Sequence, residues 1–284
     1  MDLDGAAEVI AGNTVYDANG AIVHQNASLP DGYNAVANFD ADPEAEIVLV
    51  SGGNVYLLEH DLTVKWGPVA IPGGGLGGAP TIADFDGDGQ PEIGVAGASR
   101  YVVLETDGSQ RWAAVTQDGS SNVTGSSVFD FEADGLAEVL YADELFLRVY
   151  QGLDGAVLFE TPKSSCTWYE YPIVADVDAD SHAEIVAVAN NNCGYGPERG
   201  VYVWGDDTWV DTRDIWNEHT YHITNVLPDG TIPTAEQPNW LVPGLNNFRL
   251  NEYLPGEQPI PEPASLALLG LGLAVLGYGR RRAR

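Results

Sequence analysis

A short acidic run with fixed spacing recurs along the chain, and its residue types are those that bind metal ions. In the most complete copy, Asp84, Asp86, Asp88 and Glu92 occupy places 1, 3, 5 and 9 of a nine-residue loop. Carboxylates at alternate places of a tight loop turn toward one point, and cations of the calcium class take roughly six to eight oxygen ligands. The spacing therefore predicts a Ca2+ site in this loop.

Four copies of the run begin 46 residues apart, at positions 38, 84, 130 and 176, and the remnant of a further copy precedes them. The remnant lacks place 1, and Asn38 replaces an acid at place 1 of the second copy, which should weaken that site. The candidate metal ligands in the five copies are Asp2, Asp4 and Glu8; Asn38, Asp40, Asp42 and Glu46; Asp84, Asp86, Asp88 and Glu92; Asp130, Glu132, Asp134 and Glu138; and Asp176, Asp178, Asp180 and Glu184.

Two other interpretations of these runs fit the sequence less well. An EF-hand needs a bidentate acid at place 12, which here holds an apolar residue or a tyrosine. The alternative of simply solvated acidic turns would fit a single copy. Copies in register, each with three or four acids in nine residues, would repel strongly without a cation. The residues that exclude an EF-hand are Leu49, Val95, Tyr141 and Ala187.

The segments between the acidic runs predict short strands separated by turns. In the third unit, strand-like stretches cover residues 80–85, 92–97, 101–105 and 110–115. Four strands in 46 residues is the size of a β-propeller blade, whereas solenoid turns repeat roughly every 20 to 30 residues. A β-sandwich has no reason to repeat an acidic loop at constant spacing. We therefore predict an all-β chain, a propeller with about five four-stranded blades present.

The balance of charge limits the partners. The 284 residues include 12 Lys and Arg against 42 Asp and Glu, a formal net charge of −30. A surface of this charge repels nucleic acid, which is excluded as a partner. Hydrophobic residues make up 44% of the chain, which is too much for simple disorder. Metal cations are the first candidates to neutralise the acidic excess.

The C-terminal residues change character. A proline-rich linker at 255–263 contains Pro261, Glu262 and Pro263, an apolar stretch covers 264–278, and four arginines lie within 280–284. Fifteen residues span about 22 Å as a helix, less than the roughly 20 residues of a stable membrane span. We expect a propeller at 1–254, the linker at 255–263, and a sorting or anchor segment with a short hydrophobic helix at 264–284.

Two resemblances add to these predictions. Repeated acidic loops at this period, over residues 1–204, resemble the FG-GAP/VCBS repeats of integrin-α-like propellers. This resemblance implies that the residues at the matching places bind calcium. The order of Pro261-Glu262-Pro263, apolar segment and arginines resembles a PEP-CTERM sorting signal. This implies a bacterial protein that is exported to the cell surface or extracellular matrix, anchored transiently in the inner membrane and processed by an exosortase.

Two further features concern the ends of the chain and its cysteines. Export needs an N-terminal signal, yet the chain starts inside a repeat, so we expect an N-terminally truncated sequence. Seven blades of 46 residues would need about 322 residues, more than are present. Cys166 and Cys193 are the only cysteines. An even count in an exported protein favours a disulfide, and two unpaired thiols remain the alternative.

The sequence leaves two classes of function open. The first is a non-catalytic surface propeller that binds extracellular polysaccharide or a surface protein. The second is an extracellular polysaccharide lyase or hydrolase built on a calcium-binding propeller. The sequence has no G-x-S-x-G motif and no phosphate-binding loop, and its eight basic residues before position 280 are scattered. Lyases of uronates need clustered positive charge to stabilise the substrate carboxylate, so the first class is favoured.

Overall fold

The computed structural model describes residues 3–252, which form an all-β fold. The described residues all belong to one compact unit, Met1–Tyr253. Asp2, the sorting motif and the expected C-terminal helix lie outside the described residues. Within residues 3–252, no helix is both long enough and apolar enough to span a membrane.

Five antiparallel sheets follow one another along the chain, and we number them as blades 1 to 5. Each strand pairs with the next strand in the sequence. The strands are β1 Val9–Ala11, β2 Thr14–Tyr16 and β3 Ile22–Gln25 in blade 1; β4 Tyr33–Ala37, β5 Glu46–Ser51, β6 Asn54–Leu58 and β7 Val64–Ala70 in blade 2; β8 Thr81–Ala83, β9 Glu92–Ala96, β10 Arg100–Leu104 and β11 Gln110–Val115 in blade 3; β12 Ser126–Phe129, β13 Glu138–Ala142, β14 Phe146–Tyr150 and β15 Val157–Pro162 in blade 4; and β16 Ile173–Ala175, β17 Glu184–Ala189 and β18 Gly200–Gly205 in blade 5.

The blades form a β-propeller. The first strands β4, β8, β12 and β16 contact one another in chain order, so the blades succeed one another around an inner row of strands. The β-propeller predicted from the 46-residue period is confirmed, and the four strands predicted for the third unit agree with β8 to β11 to within about two residues. In blades 2 to 5, the acidic run lies between the first and second strands of its blade.

The apolar core lies between neighbouring blades. Val48 and Val50 of blade 2 belong to one buried cluster with Ile93 and Val95 of blade 3. Every residue of β5, β9 and β13 is buried, because both faces of these strands are covered by protein. Most residues of the fourth strands are exposed or partly buried, as expected for the outer edge of a sheet, and Trp112 of β11 is an exception.

Trp66 and Trp112, which are 46 residues apart, repeat one interblade contact. The Trp66 indole Nε1 donates to the Thr106 carbonyl at 2.9 Å, and Trp112 Nε1 donates to the Gly152 carbonyl at 2.5 Å. Gly108 has a φ of 82° and lies over the Trp66 ring, where a Cβ would come within 3.1 Å of the ring. Glycine is therefore required at this turn.

The end blades differ from the predicted four strands. Blades 1 and 5 each have three strands in the described part of the chain. In blade 5, residues after β18 pack on the neighbouring blade. The rings of Trp209 and Phe131 are 4.4 Å apart, and the Val210 N–H donates to the Phe131 carbonyl at 3.0 Å. These contacts join the end of blade 5 to the acidic loop of blade 4.

A C-terminal segment, residues 211–252, crosses the inner strands of blades 2 to 5. It contains two 3-10 helices, Ile223–Asn225 and Asn239–Leu241. Its successive bonds reach one residue in or directly after the first strand of each of these blades: Asn246 bonds the Asn38 backbone at 2.8 Å, Phe248 donates to the Ile82 carbonyl at 2.8 Å, the Arg249 carbonyl accepts from the Val128 N–H at 3.0 Å, and the Asn251 amide donates to the Val174 carbonyl at 2.9 Å. The segment therefore ties four blades together.

Candidate metal sites and an aromatic surface

The four complete acidic loops share one internal hydrogen bond. In each loop, the backbone N–H at place 2 donates to Oε2 of the glutamate at place 9, which fixes that carboxylate against the loop. The distances are 2.6 Å for Phe39 to Glu46, 2.7 Å for Phe85 to Glu92, 3.0 Å for Phe131 to Glu138, and 2.9 Å for Val177 to Glu184. The glutamate at place 9 is thus a structural member of every loop, with its other oxygen Oε1 outside this bond.

The aspartate at place 1 shapes the loops of blades 3, 4 and 5. Asp84 accepts the backbone N–H groups at places 4 and 6, from Gly87 at 2.7 Å and Gly89 at 2.9 Å, and Asp176 accepts from the same two places. Asp130 accepts from places 5 and 6 of its loop. These loops have positive φ at both place 4 and place 6, including non-glycine residues in blades 4 and 5. The affected residues are Gly87, Gly89, Ala133, Gly135, Ala179 and Ser181.

The structure brings many of the predicted ligands together. Asp84, Asp86, Asp88 and Glu92 of the third loop each offer a carboxylate oxygen, and these oxygens lie within 4.8 Å of one another. The fourth and fifth loops bring together the acids at places 1, 3 and 9. Those groups are Asp130, Glu132 and Glu138, and Asp176, Asp178 and Glu184.

Other predicted ligands are used differently. Asp134 and Asp180, at place 5, fall outside these groups and accept backbone N–H groups at 2.9 Å from Leu136 and His182. In the second loop, Asp40 and Asp42 group with Glu59, which sequence reasoning missed, while Glu46 bonds Lys65. The recurrence of an acid 46 residues after Glu59, at position 105, is a signal that could have identified it.

The first acidic run forms no such group in the described part of the chain. Asp4 Oδ1 accepts the Ala6 N–H at 2.7 Å, and Glu8 is partly buried at the start of β1. Asp2 is outside the described residues. Within residues 3–252, no cluster of three or more candidate ligand side chains contains Asp4 or Glu8.

Burial perturbs the glutamates at place 9. Burial, together with the neighbouring aspartates, raises the pKa of Glu92 and of Glu138 to about 8. The same cause raises the pKa of Glu46 and Glu184. At a pKa of about 8, the carboxyls of Glu92 and Glu138 hold a proton at pH 7 unless a cation replaces it.

Glu92 Oε1 tests whether the third loop fits a cation. This oxygen has no hydrogen-bond partner, and water cannot supply one because the residue is 0% exposed. An unpaired buried oxygen costs free energy comparable to a lost hydrogen bond. With three further carboxylates within 4.8 Å, the donor set is all oxygen, which is what calcium prefers. The residues present therefore fit a hard divalent cation.

A cavity of about 650 Å³ adjoins the third and fourth loops. Its lining includes Asp84 and Asp130 from the loops and Asp211 and Glu252 from the C-terminal segment. Burial raises the pKa of Asp211 and of Glu252, and nearby acids add to the effect. The cavity is an acidic environment that favours bound cations.

An aromatic surface lies at the opposite ends of the blades. We define it as Tyr33, Trp168 and Tyr169; the ring centroids of Tyr33 and Tyr169 are 6.2 Å apart, and those of Trp168 and Tyr169 are 5.1 Å apart. Trp168 is 54% exposed and Tyr169 47%. These residues precede first strands or begin them, whereas the acidic loops follow first strands. The two features therefore lie at opposite ends of the strands.

Several contacts hold the connector that carries Trp168 and Tyr169. The structure joins Cys166 and Cys193 in a disulfide, which links the connector to the loop after β17. The Glu170 carboxylate accepts the Trp168 N–H at 2.7 Å and the Ser165 hydroxyl at 2.5 Å. A connector bonded in this way presents its aromatic rings in a fixed arrangement.

Comparison with known protein families identifies two parts of the chain. An FG-GAP-like repeat matches residues 38–95, which contain the second and third acidic loops. A PEP-CTERM protein-sorting motif matches residues 259–283. Both features recognised in the sequence are thereby confirmed. The sorting motif marks an exported protein that is held in the membrane before an exosortase, a membrane enzyme, processes it.

Among solved structures, the V. cholerae biofilm matrix protein Bap1 is similar over 89% of this chain and 69% of its own, with 21% identity and a TM-score of 0.77. A protein of unknown function from Bacteroides caccae aligns over 90% of this chain and 98% of its own, with 14% identity and a TM-score of 0.44. No curated protein matches the chain. At this identity, the likeness to Bap1 establishes the fold.

Proposed function

We propose that this protein is a non-catalytic, calcium-binding propeller that adheres to extracellular polysaccharide at the cell surface or in the surrounding matrix. The observation that carries the calcium part is the third loop, where a buried Glu92 oxygen without a partner faces three aspartates. Export through the sorting motif and the likeness to a biofilm matrix protein support the matrix part.

Calcium would be held by the acids that the structure groups in the third, fourth and fifth loops. In the third loop these are Asp84, Asp86, Asp88 and Glu92. A bound divalent ion would relieve the repulsion between the carboxylates and supply a partner for Glu92 Oε1. Because the loops join the first two strands of their blades, their metal would stabilise the fold and take no part in a reaction.

The aromatic surface supports polysaccharide as the partner. Trp168 and Tyr169 offer apolar ring faces together with polar N–H and O–H groups, a combination that suits the apolar faces and hydroxyls of sugar rings. Tyr33 extends the same surface. A protein with a net charge of −30 repels strongly anionic chains at long range, so we expect neutral polysaccharides to bind best.

Retention on purified bacterial exopolysaccharides, neutral and acidic, tests this function. We expect Trp168→Ala and Tyr169→Ala each to weaken binding by about tenfold, and Trp168→Phe to keep most of it. Val201→Ala is the control, because Val201 is an exposed apolar residue on β18, outside the aromatic surface. Failure of every polysaccharide to bind, or equal binding by Trp168→Ala, would argue for a surface protein as the partner.

A further inference from the structure

A β-bulge on the fourth strand of blades 2, 3 and 4 places one side chain outside the regular pairing. In blade 2, Leu57 pairs with Trp66 and Leu58 with Val64, so that Lys65 is the extra residue. The same irregularity makes Arg111 the extra residue in blade 3 and Leu158 in blade 4. Bulges redirect side chains, and here two of the three redirected residues are cations.

Lys65 reaches into the second acidic loop. Its ammonium Nζ lies 2.5 Å from Asp40 Oδ2, 3.0 Å from Glu46 Oε1 and 3.2 Å from Glu59 Oε1. The lysine side chain is only 19% exposed, and that of Glu46 is 1% exposed. The ammonium therefore occupies the place among three carboxylates that a metal ion would otherwise take.

The place-9 glutamates show the difference between the second and third loops. Glu46 Oε1 is paired with Lys65, whereas the equivalent oxygen of Glu92 is buried without a partner. Arg111 bonds Asp86 at 2.5 Å and Glu105 at 2.8 Å, and neither bond involves Glu92. The arginine therefore neutralises the edge of the third loop and leaves its buried carboxylate for another cation.

The backbone of the second loop also differs from that of the others. Its place 6 is Pro43, whose ring fixes φ near about −65°, while the other three loops have positive φ at this place. At place 1, the Asn38 amide Nδ2 donates to the Asp42 carbonyl at 2.6 Å. Asn38 is thus a donor toward an oxygen that a metal could have used.

We infer that Lys65 is the built-in cation of the second loop, which needs no calcium, while calcium binds the loops that have no lysine within them. This inference rests on the calcium binding proposed above. In blade 4, the equivalent bulge residue is Leu158, which offers no charge to Asp130, Glu132 and Glu138. The second loop is then stabilised at all calcium concentrations, and the fourth depends on the ion.

Calcium titration and melting of the purified protein test the inference. We expect Asp40→Asn to leave the number of bound calcium ions unchanged and Glu138→Gln to lower it by one. In chelator, Lys65→Leu should lower the melting temperature by about 4 °C or more, because it leaves buried Glu46 unpaired. Arg100→Leu, which removes a cation whose guanidinium donates to the Ser99 carbonyl at 2.8 Å, should lower the melting temperature less, and Lys65→Arg should restore much of the loss.

The outcomes separate the inference from the proposal on which it rests. Loss of one calcium ion in Asp40→Asn would overturn the inference while supporting calcium binding. If the unaltered protein binds no calcium, the proposed function fails, and the chelator melts still decide the role of Lys65. Equal melting of Lys65→Leu and Arg100→Leu would show that Lys65 is not the cation on which the second loop depends.

Discussion

The place-9 glutamates predict an unusual dependence of stability on pH when calcium is removed. Burial raises the pKa of Glu92 from 4.5 to about 8 in the folded protein. At a pH between these two pKa values, the carboxyl keeps its proton in the folded protein and has lost it in the unfolded chain. The folded state binds more protons, so the free energy of unfolding falls as the pH rises from about 4.5 to 8. Glu138 behaves in the same way.

The size of this effect follows from the difference in pKa. A rise from 4.5 to about 8 corresponds to at most about 5 kcal/mol for one carboxyl, complete above the folded pKa. Calcium replaces the proton, because a metal ligand must be ionised. With saturating calcium we therefore expect the loss of stability with rising pH to disappear.

Urea unfolding at pH 5, 6, 7 and 8 measures how the free energy of unfolding changes with pH. The measurement is made once in chelator and once in excess calcium, which gives one slope for each condition. In chelator, Glu92→Gln should remove the contribution of one carboxyl to the slope, because glutamine cannot ionise. Glu160→Gln, at an exposed position, should leave the slope unchanged. A chelator slope that equals the calcium slope, or that is unchanged in Glu92→Gln, would refute the reasoning.

Four other predictions follow from the contacts described above. In calcium, Asp86→Ala should lower the melting temperature more than Asp40→Ala, because the third loop brings four acids together; equal losses would indicate solvated turns. Leu158→Lys should remove one calcium ion from blade 4 and raise the melting temperature in chelator, and an unchanged ion count would contradict the role given to the bulge. Arg249→Ala should lower the free energy of unfolding, measured in urea, by about 3 kcal/mol, since the buried Arg249 guanidinium donates to the Pro80 carbonyl. A loss under about 1 kcal/mol would show that this bond does not stabilise the fold. Mass spectrometry of protein from the matrix of an exosortase-containing host should find a C-terminus near Pro263, and an intact Arg284 would indicate a permanent anchor.

Repetition made the propeller predictable. Four acidic runs 46 residues apart fixed the unit, and the alternation of short apolar stretches and turns located the strands of blade 3. The tie between blades was not predictable, because residues 211–252 contain no repeat. The contacts of Asn246, Phe248 and Asn251 with successive first strands depend on tertiary packing between residues distant in the chain.

The site was predictable at places 1, 3 and 9 and less so elsewhere. Place 9 was identified from spacing alone, and the structure gives it a bond to place 2 in all four complete loops. The roles of Asp134 and Asp180 at place 5 could not be foreseen, because they depend on where a loop turns back. Lys65 was missed because a bulge, which sequence periodicity does not reveal, carries it to the acids.

The number of calcium ions bound to each chain shows whether the acidic loops bind the ion. Isothermal titration of the calcium-free protein, with the ion count checked by elemental analysis after dialysis, gives the number of sites. We expect three calcium ions, one in each of the third, fourth and fifth loops. Glu92→Gln, Glu138→Gln and Glu184→Gln should each lose one of them. A protein that binds no calcium, or that keeps all its calcium in these three variants, would contradict this expectation.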